Sequence, residues 1–164
     1  MLFDRFKQVK AFVFVLDGAL ADGKIWLTER GERLRRLDRK DDYAIQLALQ
    51  RNYPIAVISD GHALGIRKGM EEIGVQDLFS GRGDQRTGLL DWLSRRKVAA
   101  GDMLYMGSDM PDVDCMRIAG LPACSADAVE EIKASATYIS SCKGGDGAVR
   151  DVIEKVMKLQ GTWV

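Results

Sequence analysis

Three short stretches of this 164-residue chain put acids and hydroxyls where apolar runs stop: VLDG at 15–18, SDG at 59–61 and GSDMPD at 107–112. Carboxylates gathered from separate loops can hold a divalent cation through hard oxygen ligands, or move a proton as general acid or base. In FVFVLDGALADG, residues 12–23, one acid, Asp17, stands at the exit, and the residue two before it is Val15. Ser59, with the backbone N–H groups near Asp17 and Gly18, could form an anion-binding nest; its other reading is a plain strand end. The one histidine, His62, reads either as a solvated residue at a helix entry or as a catalytic group.

Such loops need rigid elements behind them. Lys10–Leu16 reads as a buried strand, continuous in apolar and β-branched residues and bounded by Asp-Gly. Lys24–Thr28 and Glu32–Leu37 read as a hairpin turning at Gly31. Asp41 or Asp42 is placed to cap a helix running to Arg51. Pro54 opens a second buried strand, IAVIS, and a helix with Ile66, Met70 and Ile73 on one face follows, stopped by Gly74. A short strand at Leu78–Phe79 leads to Asp84, which can cap a helix carrying Leu89, Leu90 and Leu93. Met103–Met106 reads as a third core strand. Then come a helix near 112–118, a strand at 121–124, a helix near 128–134 and an amphipathic helix from Gly147 to Leu159. Alternating strands and helices predict an α/β fold with a mostly parallel sheet covered on both faces. In such sheets the ligand site lies beyond the carboxyl ends of the strands, so the three loops should meet.

Length and composition fit one domain spanning 1–164, within the ~100–200 residues usual for a domain. Lysine plus arginine is 24 and aspartate plus glutamate 24, a balance that argues against a dedicated nucleic-acid binder. Cys115, Cys124 and Cys142 show no metal-ligand spacing and read as reduced, buried thiols of a cytoplasmic protein. The apolar run near the N-terminus is too short for a signal segment or a membrane span.

The segments VLDGALADGKI, AVISDG, GRGDQ, MGSDMPD and GGDGAVRDVIEKV resemble the haloacid dehalogenase superfamily, with its Rossmann-like fold. Within it, the hairpin after the first motif and the Gly144–Arg150 segment resemble the 3-deoxy-D-manno-octulosonate 8-phosphate phosphatases and their nonulosonate-9-phosphate relatives, a resemblance that implies no cap domain. The resemblance covers the chain from about Val9 to Met157. It implies magnesium-dependent phosphatases, usually homotetramers, in which the hairpin and C-terminal tail help form a neighbour's site. It also places the family's aspartate nucleophile at Val15 and its acid/base at Asp17. The phosphate-holding hydroxyl falls on Ser59, followed by Asp60, and Gly18 belongs to the phosphate loop. The motif lysine falls on Gln85, after Asp84, and the first metal-binding aspartate of the fourth motif on Ser108. Gly61 stands where the family often has a substrate arginine.

A valine cannot attack phosphorus, and neither valine nor serine gives magnesium a charged oxygen. The expectation is therefore a family member that has lost metal-dependent phosphoryl transfer, with no metal held and magnesium implied by resemblance alone. Asp109 and Asp112 read either as a relic metal cluster or as caps of the following helix. Expected partners are further copies of itself, a sugar-acid phosphate or an active relative, with no nucleic acid and no membrane. The alternative is a weak or altered phosphatase using Asp17. The basic run RGERLRRLDRK, 30–40, reads as a solvated hairpin face or as a surface for an anionic ligand or acidic partner.

Overall fold

The computed structural model describes residues 1–59, 64–80 and 83–164. Its centre is β1, Ala11–Val15, buried at every position. To one side lie β4, Ile55–Ser59, and β5, Asp77–Ser80; to the other lie β6, Met103–Gly107, β7, Leu121–Cys124, and the short β8, Tyr138–Ile139. The six-stranded order is β5-β4-β1-β6-β7-β8, and every pairing is parallel. A parallel sheet needs a crossover between successive strands, and helices supply it. These are α2, Arg39–Gln50; α3, Leu64–Glu72; α4, Gln85–Arg96; α5, Val113–Ile118; and α6, Glu130–Ser135. The N-terminal α1, Leu2–Gln8, and α2 pack on the long α7, Ala148–Leu159, while α4 and α6 pack on α5. The expected α/β architecture is the observed one.

Strand order reverses at β1, whose neighbours β4 and β6 carry the chain outward in opposite directions. The carboxyl ends of β1 and β6 therefore flank the topological switch point, where crossover helices leave a crevice. The expected hairpin is present but short: β2, Trp26–Leu27, pairs antiparallel with β3, Arg33–Leu34, and Gly31 takes a positive φ of 80° in the turn.

Three features depart from the sequence reading. Helix α2 is capped by Asp38, whose side chain accepts the Lys40 N–H at 2.8 Å, instead of by Asp41 or Asp42. Asp41 faces inward and is 1% exposed. Helix α1 and strand β8 were not anticipated. Only Phe6 of α1 is buried, so LFDRFKQ shows little periodic signal, and β8 is too short for an alternation to register.

Candidate functional site

A cavity of about 370 Å³ opens at the carboxyl ends of β1, β4, β6 and β7. Val15 and Ile58, paired in register across β1 and β4, give it an apolar floor. Asp17, Gly18, Gln85, Ser108, Asp109 and Asp112 all line it, so the sequence-predicted site residues of two loops, after β1 and after β6, and of the α4 start do converge. Ser59 is not among the lining residues. It is 4% exposed, and its hydroxyl has no hydrogen-bond partner among the described residues. Asp60, Gly61 and His62 lie outside the described residues.

Asp17 is the hub of the loop after β1. Its two carboxylate oxygens meet the guanidinium of Arg35 side-on, with Nε–Oδ1 at 2.8 Å and Nη2–Oδ2 at 3.1 Å. Arg35 follows β3 on the hairpin, and its side chain is 8% exposed. The carbonyl of Asp17 accepts the Ser108 hydroxyl at 2.7 Å, joining the β1 and β6 loops across the switch point. Such close approach needs a glycine. Gly18 has φ of 101°, and a Cβ on it would lie 2.3 Å from Ser108 Cβ. The Gly144–Arg150 segment presses on the same loop, since a Cβ on Gly144 would sit 2.2 Å from the Gly18 carbonyl oxygen.

Asp109 and Asp112 form a reciprocal cap over the turn that enters α5. Asp109 accepts the Met110 N–H at 2.7 Å. Asp112 accepts the Ser108 N–H at 2.8 Å, the Asp109 N–H at 3.1 Å and the Tyr105 hydroxyl at 3.1 Å. Burial pushes the Asp112 carboxyl above its ordinary range, and the two backbone N–H groups pull it part of the way back. Of the two readings offered by sequence, the cap is the one these contacts make.

Gln85 starts α4 behind the Asp84 cap, whose side chain accepts the Thr87 N–H at 3.1 Å. The Gln85 side-chain oxygen is buried and has no partner among the described residues.

Sequence reasoning missed Ser125 and Asp127, which line the cavity from the end of β7. The Ser125 hydroxyl is shared between the Gly18 carbonyl at 3.1 Å and Asp127 at 2.9 Å. Burial opposes the charged form of Asp127, but the Gly144 N–H and the Ser125 hydroxyl outweigh it and hold the carboxyl below its ordinary range. The signal was available, because CSAD at 124–127 repeats the strand-end pattern of the other loops.

Do these residues fit magnesium? Val15 has no oxygen. The Ser108 hydroxyl is neutral and committed to Asp17, both oxygens of Asp17 face Arg35, and Asp112 is taken by three donors. Magnesium demands several hard, preferably charged oxygens in near-octahedral order. The donor set does not fit it, and among the described residues no group of three or more His, Cys, Asp or Glu is arranged to hold a metal. The described lining carries five aspartates, 17, 22, 109, 112 and 127, and no lysine or arginine.

A parallel sheet in this order, with the site at the ends of β1 and β6 and no cap domain, defines a haloacid-dehalogenase-type fold. The 3-deoxy-D-manno-octulosonate 8-phosphate phosphatase of Salmonella typhi is 29% identical over 155 residues, 94% of this chain and 82% of that protein. The crystal structure of the Yersinia pestis phosphatase of the same name superposes with a TM-score of 0.94 at 26% identity, covering 98% of this chain and 86% of that one. The Moraxella catarrhalis phosphatase, solved with magnesium, phosphate and the octulosonate sugar acid, gives a TM-score of 0.92 at 27% identity, covering 98% and 92%. No protein-family model matches. Over nearly its whole length the chain is similar to the capless 3-deoxy-D-manno-octulosonate 8-phosphate phosphatases, in sequence and in fold.

Proposed function

We propose that this family member has lost metal-dependent phosphoryl transfer and serves as a regulatory or assembly protein. One observation carries the reading. At the loop where the family places its nucleophile, Val15 floors the cavity, and the nearest carboxylate, Asp17, has both oxygens against Arg35. A carboxylate in a side-on ion pair is a poor nucleophile and a poor ligand, because its lone pairs already face donors. Nothing in the geometry favours the alternative of a phosphatase working through Asp17.

The lining of five aspartates without a basic side chain disfavours capture of a sugar-acid phosphate and supports the assembly role. The hairpin supplies a surface for it, with Trp26 76%, Leu27 67% and Leu34 52% exposed. Exposed apolar side chains grouped on one ribbon suit a contact between copies, as in a homotetramer, or with an active relative. The three free cysteines, two of them buried, suit the reducing cytoplasm. No helix among the described residues is long and apolar enough to cross a membrane.

The test is magnesium-dependent phosphate release from a panel of sugar-acid phosphates, run beside a Val15→Asp, Gln85→Lys, Ser108→Asp triple variant. A silent native chain and an active triple variant support the proposal. Turnover by the native chain with magnesium sinks it.

A further inference from the structure

The misfit to magnesium leaves a structural problem that the chain solves internally. In a metal site the cation does two mechanical jobs: it neutralises collected carboxylates, and it ties loops from different strands together. Both jobs fall to side chains that meet at Asp17. The Arg35 guanidinium provides the positive charge, in a two-pronged geometry that lysine cannot reproduce. The Ser108 hydroxyl provides the tie, reaching the Asp17 carbonyl across the switch point at 2.7 Å. Because the Arg35 side chain is 8% exposed, solvent screens this pair less than a surface ion pair.

We propose that the Arg35–Asp17–Ser108 clasp replaces the divalent cation as the organiser of the site. The consequence is mechanical. The hairpin is fastened to the β1 loop through a carboxylate that lines the cavity, so the order of that loop depends on the hairpin and not on metal. Arg36 extends the fastening, 3.6 Å from Asp22 and 3.8 Å from Asp146. The inference rests on the reading that metal-dependent transfer is lost, and it adds a positioning role for Arg35.

The experiment is a double-mutant cycle on the full chain, read by thermal melting and by hydrogen exchange of residues 24–37. Arg35→Met, Asp17→Asn and the double variant are compared with the native chain, each in chelator and in millimolar magnesium. The native melting point is expected to be the same in both buffers. Each single variant should melt several degrees lower and exchange its hairpin amides several-fold faster, and the double variant should be no worse than either single. Should Arg35→Met not fold, Arg35→Lys, which keeps the charge but not the fork, completes the cycle. A native melting point raised by magnesium, or single effects that simply add in the double variant, would overturn the clasp. The two readings fail separately. Phosphate release by a native chain that still shows the coupling sinks the loss of activity alone, and a silent chain with additive effects sinks the clasp alone.

Discussion

Oδ1 of Asp41 accepts the backbone N–H of Arg150 at 2.8 Å, while Oδ2 of the same buried carboxyl has no partner among the described residues. The contact pins the first turn of α7 to α2. Burial dominates the electrostatics and raises the carboxyl from 3.8 to about 7, against the pull of the Arg150 and Gly147 N–H groups. The folded chain thus holds this proton to a higher pH than the unfolded chain does. Its contribution is fully present below the unfolded value and is lost as pH rises through about 7. The span corresponds to a loss on the order of 4 kcal/mol at most. Asp41→Asn keeps an acceptor for Arg150 and removes the charge. It should flatten the fall in stability over this window, as read by denaturant melts at several pH values, and an unchanged slope would refute the assignment.

Val15→Asp returns a carboxylate to the first motif, but into a site 6% exposed beside Ile58. Burying that carboxyl in its neutral form should cost about 1–3 kcal/mol, and more once it ionises. The buried acid would keep its proton longer in the folded state, so the loss should be larger near pH ~8 than near pH ~5. Melting curves at the two values check the sign. Turnover by the single variant is not expected, since Gln85 and Ser108 remain.

Gly18→Ala places a methyl group against Ser108 at a backbone angle that disfavours side chains. A loss of about 1–3 kcal/mol is expected. Ser108→Gly in the same chain should recover only part of it, because the strain at φ of 101° stays and the Ser108 hydroxyl's tie to the Asp17 carbonyl is lost. Full recovery would show that crowding alone matters.

Trp26→Glu with Leu27→Lys should leave the melting point nearly unchanged and shift the assembly toward monomer, measured by light scattering. A native chain that is monomeric at the same concentration removes the self-association proposal.

Much of this molecule could be read from residue order. Continuous apolar runs ending in LDG, SDG and GSD announce buried parallel strands with polar exits, because crossover helices cover both faces and the site lies past the strand ends. What escaped depends on distant segments. Asp38, which the sequence reading passed over for Asp41 or Asp42, is the same residue type, and it is α7, about a hundred residues later, that draws Asp41 inward to Arg150. Likewise the basic run 30–40 shows many arginines but not which one turns to Asp17, since that is set by how the hairpin folds over the β1 loop. Asp109 and Asp112 stayed ambiguous because a helix cap and a metal pair use the same residues at the same spacing.

The side-chain amide of Gln160 donates to the carbonyls of Phe6 at 3.0 Å and Val9 at 2.8 Å. Seen along the order of synthesis, this contact couples a segment made well before β1's partners to one made more than 150 residues later. Strand β1 meets its partner β6 only after residue 103 has emerged, and the carbonyls of Phe6 and Val9 wait for the Gln160 amide until residue 160 has been added. The central strand, apolar throughout, therefore waits on the ribosome longer than any other for its full set of neighbours. Folding is predicted to complete late and from non-local contacts, leaving a window in which the nascent chain needs shielding from aggregation.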